Sequence, residues 1–144
     1  MKILAEYIWL DGTSPTTLLR SKTRVVEVGS DRIRIKDLPE WGFDGSSTSQ
    51  AAGDRSDCIL RPVRVVLDPI RGGENIVVLC EVYDKNGAPH QTNTRAALRR
   101  VLDVGADKQE ALFGFEQEYT LFSADGNPLG WPEEGCPKEQ GPYY

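Results

Sequence analysis

Ile76-Val77-Val78-Leu79-Cys80 is an unbroken apolar run of strand length, with Asn75 before it and Glu81 after it. A run this short and this rich in β-branched residues fits a central strand of a sheet, not a helix. It predicts a sheet in which residues 75–83 form a central strand.

The rest of the chain supplies neighbours for it. Leu4-Ala5-Glu6-Tyr7-Ile8-Trp9-Leu10 mixes aromatic and β-branched residues and halts at the turn signal Asp11-Gly12. Residues 17–28 interleave apolar and basic side chains, as a strand with one wet face would. A short strand is predicted over 32–36, where Ile33 and Ile35 alternate with basic residues, and another over 59–68. Between them, 38–50 reads as an ordered loop anchored by Trp41 and Phe43 and tipped with hydroxyls, since a solvated tether would not carry two large rings. Asp84 to Pro89 is a turn or domain boundary. Thr92-Asn93-Thr94 can cap a helix over 95–103, with Ala97, Leu98, Val101 and Leu102 on one face and Arg95, Arg99 and Arg100 on a solvated one; Gly105 can close it. A strand is predicted over 111–122, followed by Gly- and Pro-rich loop. The final Pro142-Tyr143-Tyr144 has no polar tail, the pattern of an interrupted chain. Strands, one helix and a further strand make an α+β fold.

Composition removes several function classes. A formal charge of −5 argues against generic binding to nucleic-acid phosphates. No run approaches the roughly 20 apolar residues of a membrane span, and no signal-peptide core follows Met1. Cys58, Cys80 and Cys136 are odd in number, with no CxxC spacing, which points to packing thiols in a reducing cytoplasm over a disulfide framework or zinc site.

Two places can carry chemistry. In a strand, Glu116 and Glu118 would project from one face, with Gly114 leaving room for a ligand beside them. Like charges on an apolar strand need a compensating partner, which a divalent cation such as Mg²⁺ or Mn²⁺ would supply; a solvated edge strand or pairing with arginines accounts for the same pattern. In Asp44-Gly45-Ser46-Ser47-Thr48 the Asp44 carboxylate is either an acid–base or cation-binding group on a rigid loop, or a turn residue bonded to its own backbone. His90, the only histidine, has no partner near enough in sequence for a metal set or dyad and reads as a surface residue. Arg71-Gly72-Gly73 lacks the context of a phosphate-binding loop. Ser46 and Ser47 lack a local base that would make either a nucleophile.

In order and spacing, a set of segments resembles the opening of type II, eukaryotic-like glutamine synthetases. They are Ala5-Glu6-Tyr7-Ile8-Trp9-Leu10-Asp11-Gly12, Leu19-Arg20-Ser21-Lys22-Thr23-Arg24, Leu38 through Thr48, Asp68-Pro69-Ile70-Arg71, Val78 through Val82, Thr92 through Arg95, Phe113 through Leu121, and Gln140 through Tyr144. The resemblance covers essentially the whole chain. It implies a β-grasp domain over 1–89, then the first helix and strand of a truncated catalytic domain over 90–144. It implies a cytoplasmic, ATP-dependent ligase that joins glutamate and ammonia through a γ-glutamyl phosphate, using Mg²⁺ or Mn²⁺ in a homo-oligomeric double ring. Glu116 and Glu118 would ligate metal. Asp44 would bind ammonium and help remove its proton at a neighbouring subunit's site, on a loop that Ser47 helps shape. Phe113, Gly114 and Phe115 would lie near the nucleotide, as would the loop toward Tyr144; Leu112 stands where some relatives carry a tryptophan. The remaining ligands would lie beyond Tyr144, so the isolated chain is expected to be inactive. A stand-alone β-grasp module that docks onto full-length synthetase subunits is the alternative.

Overall fold

The computed structural model describes residues 1–29 and 33–138, in two units, Met1–Gln109 and Glu110–Tyr144. The first unit is built on five strands: β1 (Lys2–Leu10), β2 (Leu19–Glu27), β3 (Trp41–Asp44), β4 (Asp57–Leu67) and β5 (Ile76–Asp84). They lie in the order β2-β1-β5-β4-β3. The apolar run therefore occupies the middle strand, as its composition requires. β1 runs parallel to β5 and every other pairing is antiparallel.

Alternation puts one face of the sheet in the core. Ile3, Ala5, Tyr7 and Trp9 from β1 meet Cys58 and Leu60 from β4 and Ile76, Val78, Cys80 and Val82 from β5, all buried. A fully buried residue such as Leu60 contributes about 1.5–3 kcal/mol relative to exposure. In β4 the pairing register shifts between Pro62 and Arg64, because proline has no N–H to donate to the ladder. The other face stays largely open, with Leu4, Leu10, Leu19, Val25 and Val66 exposed.

The sheet curls strongly. Trp41 of β3 meets Tyr7 edge-on with ring centroids 5.4 Å apart, and Phe43 lies 5.0 Å from Trp9. Tyr7 also donates its hydroxyl to Pro39 O at 2.9 Å, and burial pushes its pKa up to about 12. The two rings do anchor 38–50, but Trp41–Asp44 is a strand where a loop was predicted. The signal was there: aromatic, Gly, aromatic, Asp is a period-two pattern, too short to stand out beside Pro39 and Gly45.

Two further expectations are corrected. Ile35–Asp37 is a turn of 3₁₀ helix, not part of a strand; Asp37 accepts from the Arg34 amide and guanidinium, a local bond that competes with strand pairing. The predicted strand at 32–36 began on Arg32, which lies outside the described residues. The helix α1 (Thr94–Asp103) forms as expected. The Asn93 side chain accepts from Ala96 N at its start, and Gly105, at φ 114, follows its end. Arg95 is not on a solvated face, because it turns back to the buried Glu81 with Nε 3.3 Å from Oε1. Leu98 and Val101 remain exposed.

In the second unit, 111–121 is not a strand. A strand requires a neighbour for its backbone groups, and among the described residues this segment has no paired strand, only a single backbone bond at Leu121. A small turn follows, in which Ser123 N donates to Asn127 O and Leu129 N to Leu121 O. Among the described residues, no helix is long and apolar enough to cross a membrane.

Candidate functional site

The loop after β3 is fixed by its own polar groups. Asp44 caps a 3₁₀ turn, Gly45–Thr48. Its Oδ1 accepts from Ser46 N at 2.9 Å and from Ser46 Oγ at 2.6 Å, while Ser47 Oγ donates to Asp44 O at 2.9 Å. These donors hold the Asp44 carboxyl below its ordinary range, first through the Ser46 hydroxyl and then through the Ser46 amide. Asp44, Ser46 and Ser47 are exposed, while Gly45, Thr48 and Gln50 beneath them are buried. An ionised carboxylate is thus presented to solvent on a buried foundation.

That foundation tolerates no extra atoms. Gly12 N donates to Thr48 O at 2.9 Å, and a Cβ on Gly12 would lie 2.1 Å from Ser49 O. A Cβ on Gly45 would lie 2.7 Å from Cys58 Sγ. Ser49 takes the left-handed conformation, φ 57, to end the turn. Beside the loop, Trp9, Arg20, Lys22, Phe43, Asp44 and Ser47 line an open groove of about 380 Å³. Its Arg20 is held by Asp11, which is fully buried. Burial alone would raise the Asp11 carboxyl; hydrogen bonds from the Leu18 and Thr13 amides, the Thr13 hydroxyl and Arg20 outweigh it and hold the group well below the usual carboxylate range.

Below the loop lies a polar hub invisible to motif reasoning. Gln50, 3 % exposed, bonds to Trp9, Leu10, Thr48 and Thr92. A glutamine after a hydroxyl-rich loop carries no distinctive spacing. His90, expected at the surface, is half-buried with Nδ1 2.9 Å from Thr92 Oγ1. It shares a second groove, about 540 Å³, with Arg55, Asp57 and Asp84.

In the second unit, Phe113 and Phe115 are 89 % and 96 % exposed, and Gly114, Glu116 and Glu118 are exposed between and after them. The strand from which the same-face projection of Glu116 and Glu118 is predicted does not form over 111–121. Among the described residues no group of three or more His, Cys, Asp or Glu could hold a metal ion. The carboxylate pair does not by itself fit Mg²⁺, which takes about six oxygens in octahedral order. Residues 140–144 lie outside the described residues.

Residues 2–85 match the family model of the glutamine synthetase β-grasp domain. Over 144 residues, all of this chain, the sequence is 55% identical to a glutamine synthetase of Streptomyces viridochromogenes, of which the match covers 41%. A glutamine synthetase of Frankia alni is 56% identical over 145 residues, with 38% of it covered. A chloroplastic glutamine synthetase of Chlamydomonas reinhardtii is 49% identical over 150 residues, with 39% covered. The chain thus spans about 40% of the length of these curated relatives.

Proposed function

This chain belongs to the glutamine synthetase β-grasp family, and we propose that it is the N-terminal segment of a type II, ATP-dependent glutamate–ammonia ligase. In this reading residues 1–89 are the β-grasp domain and 90–144 open the catalytic domain, in a cytoplasmic homo-oligomer. The observation that carries it is the Asp44 loop. Its carboxylate is exposed, ionised and braced by Ser46 and Ser47 over a buried base. Being ionised, such a group can attract ammonium; in an assembled site that raises its pKa it would also take the ammonium proton, leaving a neutral amine to attack an activated glutamate carbonyl. Ser47 acts through the backbone of Asp44, holding the turn that aims it.

Phe113, Gly114 and Phe115 would face the nucleotide. Their near-complete exposure supports a surface that the full-length protein covers, and the same holds for Leu98 and Val101 of α1. Glu116 and Glu118 would contribute two carboxylates to a Mg²⁺ or Mn²⁺ site. The remaining ligands are absent from the described residues, so the isolated chain is expected to form no glutamine. The buried free Cys58 and Cys80 support a reducing compartment.

The test splices this chain onto the remainder of the Streptomyces viridochromogenes synthetase. The chimera is expected to make glutamine from glutamate, ammonium and ATP, and Asp44→Asn is expected to cut kcat by about a hundredfold, as loss of a general base does. An assembled chimera whose Asp44→Asn variant keeps its rate and ammonium dependence would overturn the reading.

A further inference from the structure

The Gln50 amide is saturated. Its Oε1 accepts from Trp9 Nε1 at 3.3 Å and from Thr48 Oγ1 at 2.8 Å, and its Nε2 donates to Leu10 O at 3.2 Å and to Thr92 Oγ1 at 2.8 Å. The indole is only a donor and the Leu10 carbonyl only an acceptor, so the amide has one permitted orientation. Each bond runs to a group held elsewhere. Trp9 and Leu10 end β1. Thr48 closes the turn that Asp44 begins. Thr92 stands two residues before α1, next to Asn93, whose side chain donates to Val82 O and accepts from Ala96 N.

Gln50 therefore couples three segments through one buried group, and Asp44 rides on one of them. Loss of the amide would strand the indole N–H in a buried place and leave the Thr48 hydroxyl only its longer bond to Gly45 O at 3.2 Å, which is costlier than losing the bonds alone. The turn cannot compensate by shifting toward β1, because Gly12 already meets Ser49 O.

We infer that Gln50 is a positioning residue for Asp44, and that through Thr92 it ties the aim of the Asp44 loop to the entry of α1. The inference rests on the proposed role of Asp44. Gln50 does not itself reach the reacting groups; it limits how far the turn can swing. Loosening it should weaken use of the nucleophile and leave nucleotide binding alone.

The experiment uses the chimera described above, with Gln50→Leu and, as the milder change, Thr92→Val, which removes the bond from the α1 side together with the Thr92 Oγ1 contact to His90 Nδ1; His90→Ala, which removes the latter alone, is the matched control. KM for ammonium is expected to rise about tenfold in Gln50→Leu and about threefold in Thr92→Val, each lost bond having a modest net effect, with KM for ATP unchanged. Amide exchange over residues 46–49 should accelerate in the same order. Hydroxylamine, whose amine is already neutral near neutral pH, should be used nearly as well by the variants as by the parent. If Gln50→Leu does not assemble, Thr92→Val carries the test. Unchanged exchange and ammonium KM overturn the inference, as does an equal rise in KM for ammonium and ATP. An inactive Asp44→Asn beside an unaffected Gln50→Leu overturns this inference alone, whereas a fully active Asp44→Asn overturns the reading beneath it.

Discussion

Lys22 of β2 donates from Nζ to Gly42 O of β3 at 3.0 Å, with its ammonium 3.7 Å from the centroid of the Trp41 ring. β2 and β3 are the two outer strands of the sheet, so this contact joins edges that a flat sheet would hold far apart. Edge strands left open invite pairing with other chains; here Lys22 and Arg24 over the Trp41 ring, with the edge-on Tyr7–Trp41 pair, draw the edges together. The same curl brings Arg20 and Lys22 beside Asp44 and Ser47.

Lys22→Met should therefore loosen the curl and not the sheet. Loss of the cation–π contact and one hydrogen bond is expected to cost about 1–2 kcal/mol. Urea unfolding followed by tryptophan fluorescence measures it, and an unchanged midpoint would remove Lys22 from the account of the curl.

Gly12→Ala is expected to destabilise by about 3 kcal/mol or more, since its Cβ would enter the backbone of Ser49. Gly53→Ala, where nothing lies within 4 Å of the added atom, is the matched control. Equal midpoints for the two variants would mean the loop is not docked on the end of β1.

Acid should act on Asp11. A carboxyl whose folded pKa lies below its ordinary value of 3.8 contributes stability that is fully present above that value and is lost as pH falls through the folded pKa. Stability of the parent should fall on acidification below about pH 4. Asp11→Asn should start lower at neutral pH and show a shallower acid slope. A slope identical to the parent's would assign the acid sensitivity to other carboxyls.

Thiol labelling should separate the cysteines. Cys136 is exposed, whereas Cys58 and Cys80 are buried, and burial pushes the Cys80 thiol up to about 12. A mild alkylating reagent is expected to modify one thiol per native chain quickly and the other two only on unfolding. Rapid labelling of Cys80 in the native chain would contradict its place in the core.

Much of the fold was legible because it follows from local patterns. The run at 76–80 announced a central strand, Asn93 and Gly105 marked the ends of α1, and Trp41 and Phe43 showed that 38–50 could not be a tether. Less of the site was legible. Asp44 stood out because an acid followed by hydroxyls has a local meaning, but Gln50 and Gly12 have theirs only through partners about 40 residues away. Glu116 and Glu118 were read as a same-face pair on the strength of strand periodicity. A pattern can propose a strand, but only a neighbouring strand can satisfy its backbone.

By itself, then, the sequence determined that 76–80 lies in a central strand, that a capped helix follows Thr92-Asn93-Thr94 and that Trp41 and Phe43 are anchored, because each depends on neighbours a few positions away. Tertiary structure alone decided that β1 lies parallel to β5, that Lys22 meets Trp41 across the whole sheet, that Arg95 turns inward to Glu81, and that Gln50 links the Asp44 turn to the entry of α1. Those relationships depend on which distant groups remain unsatisfied when the sheet closes, and no spacing along the chain encodes that.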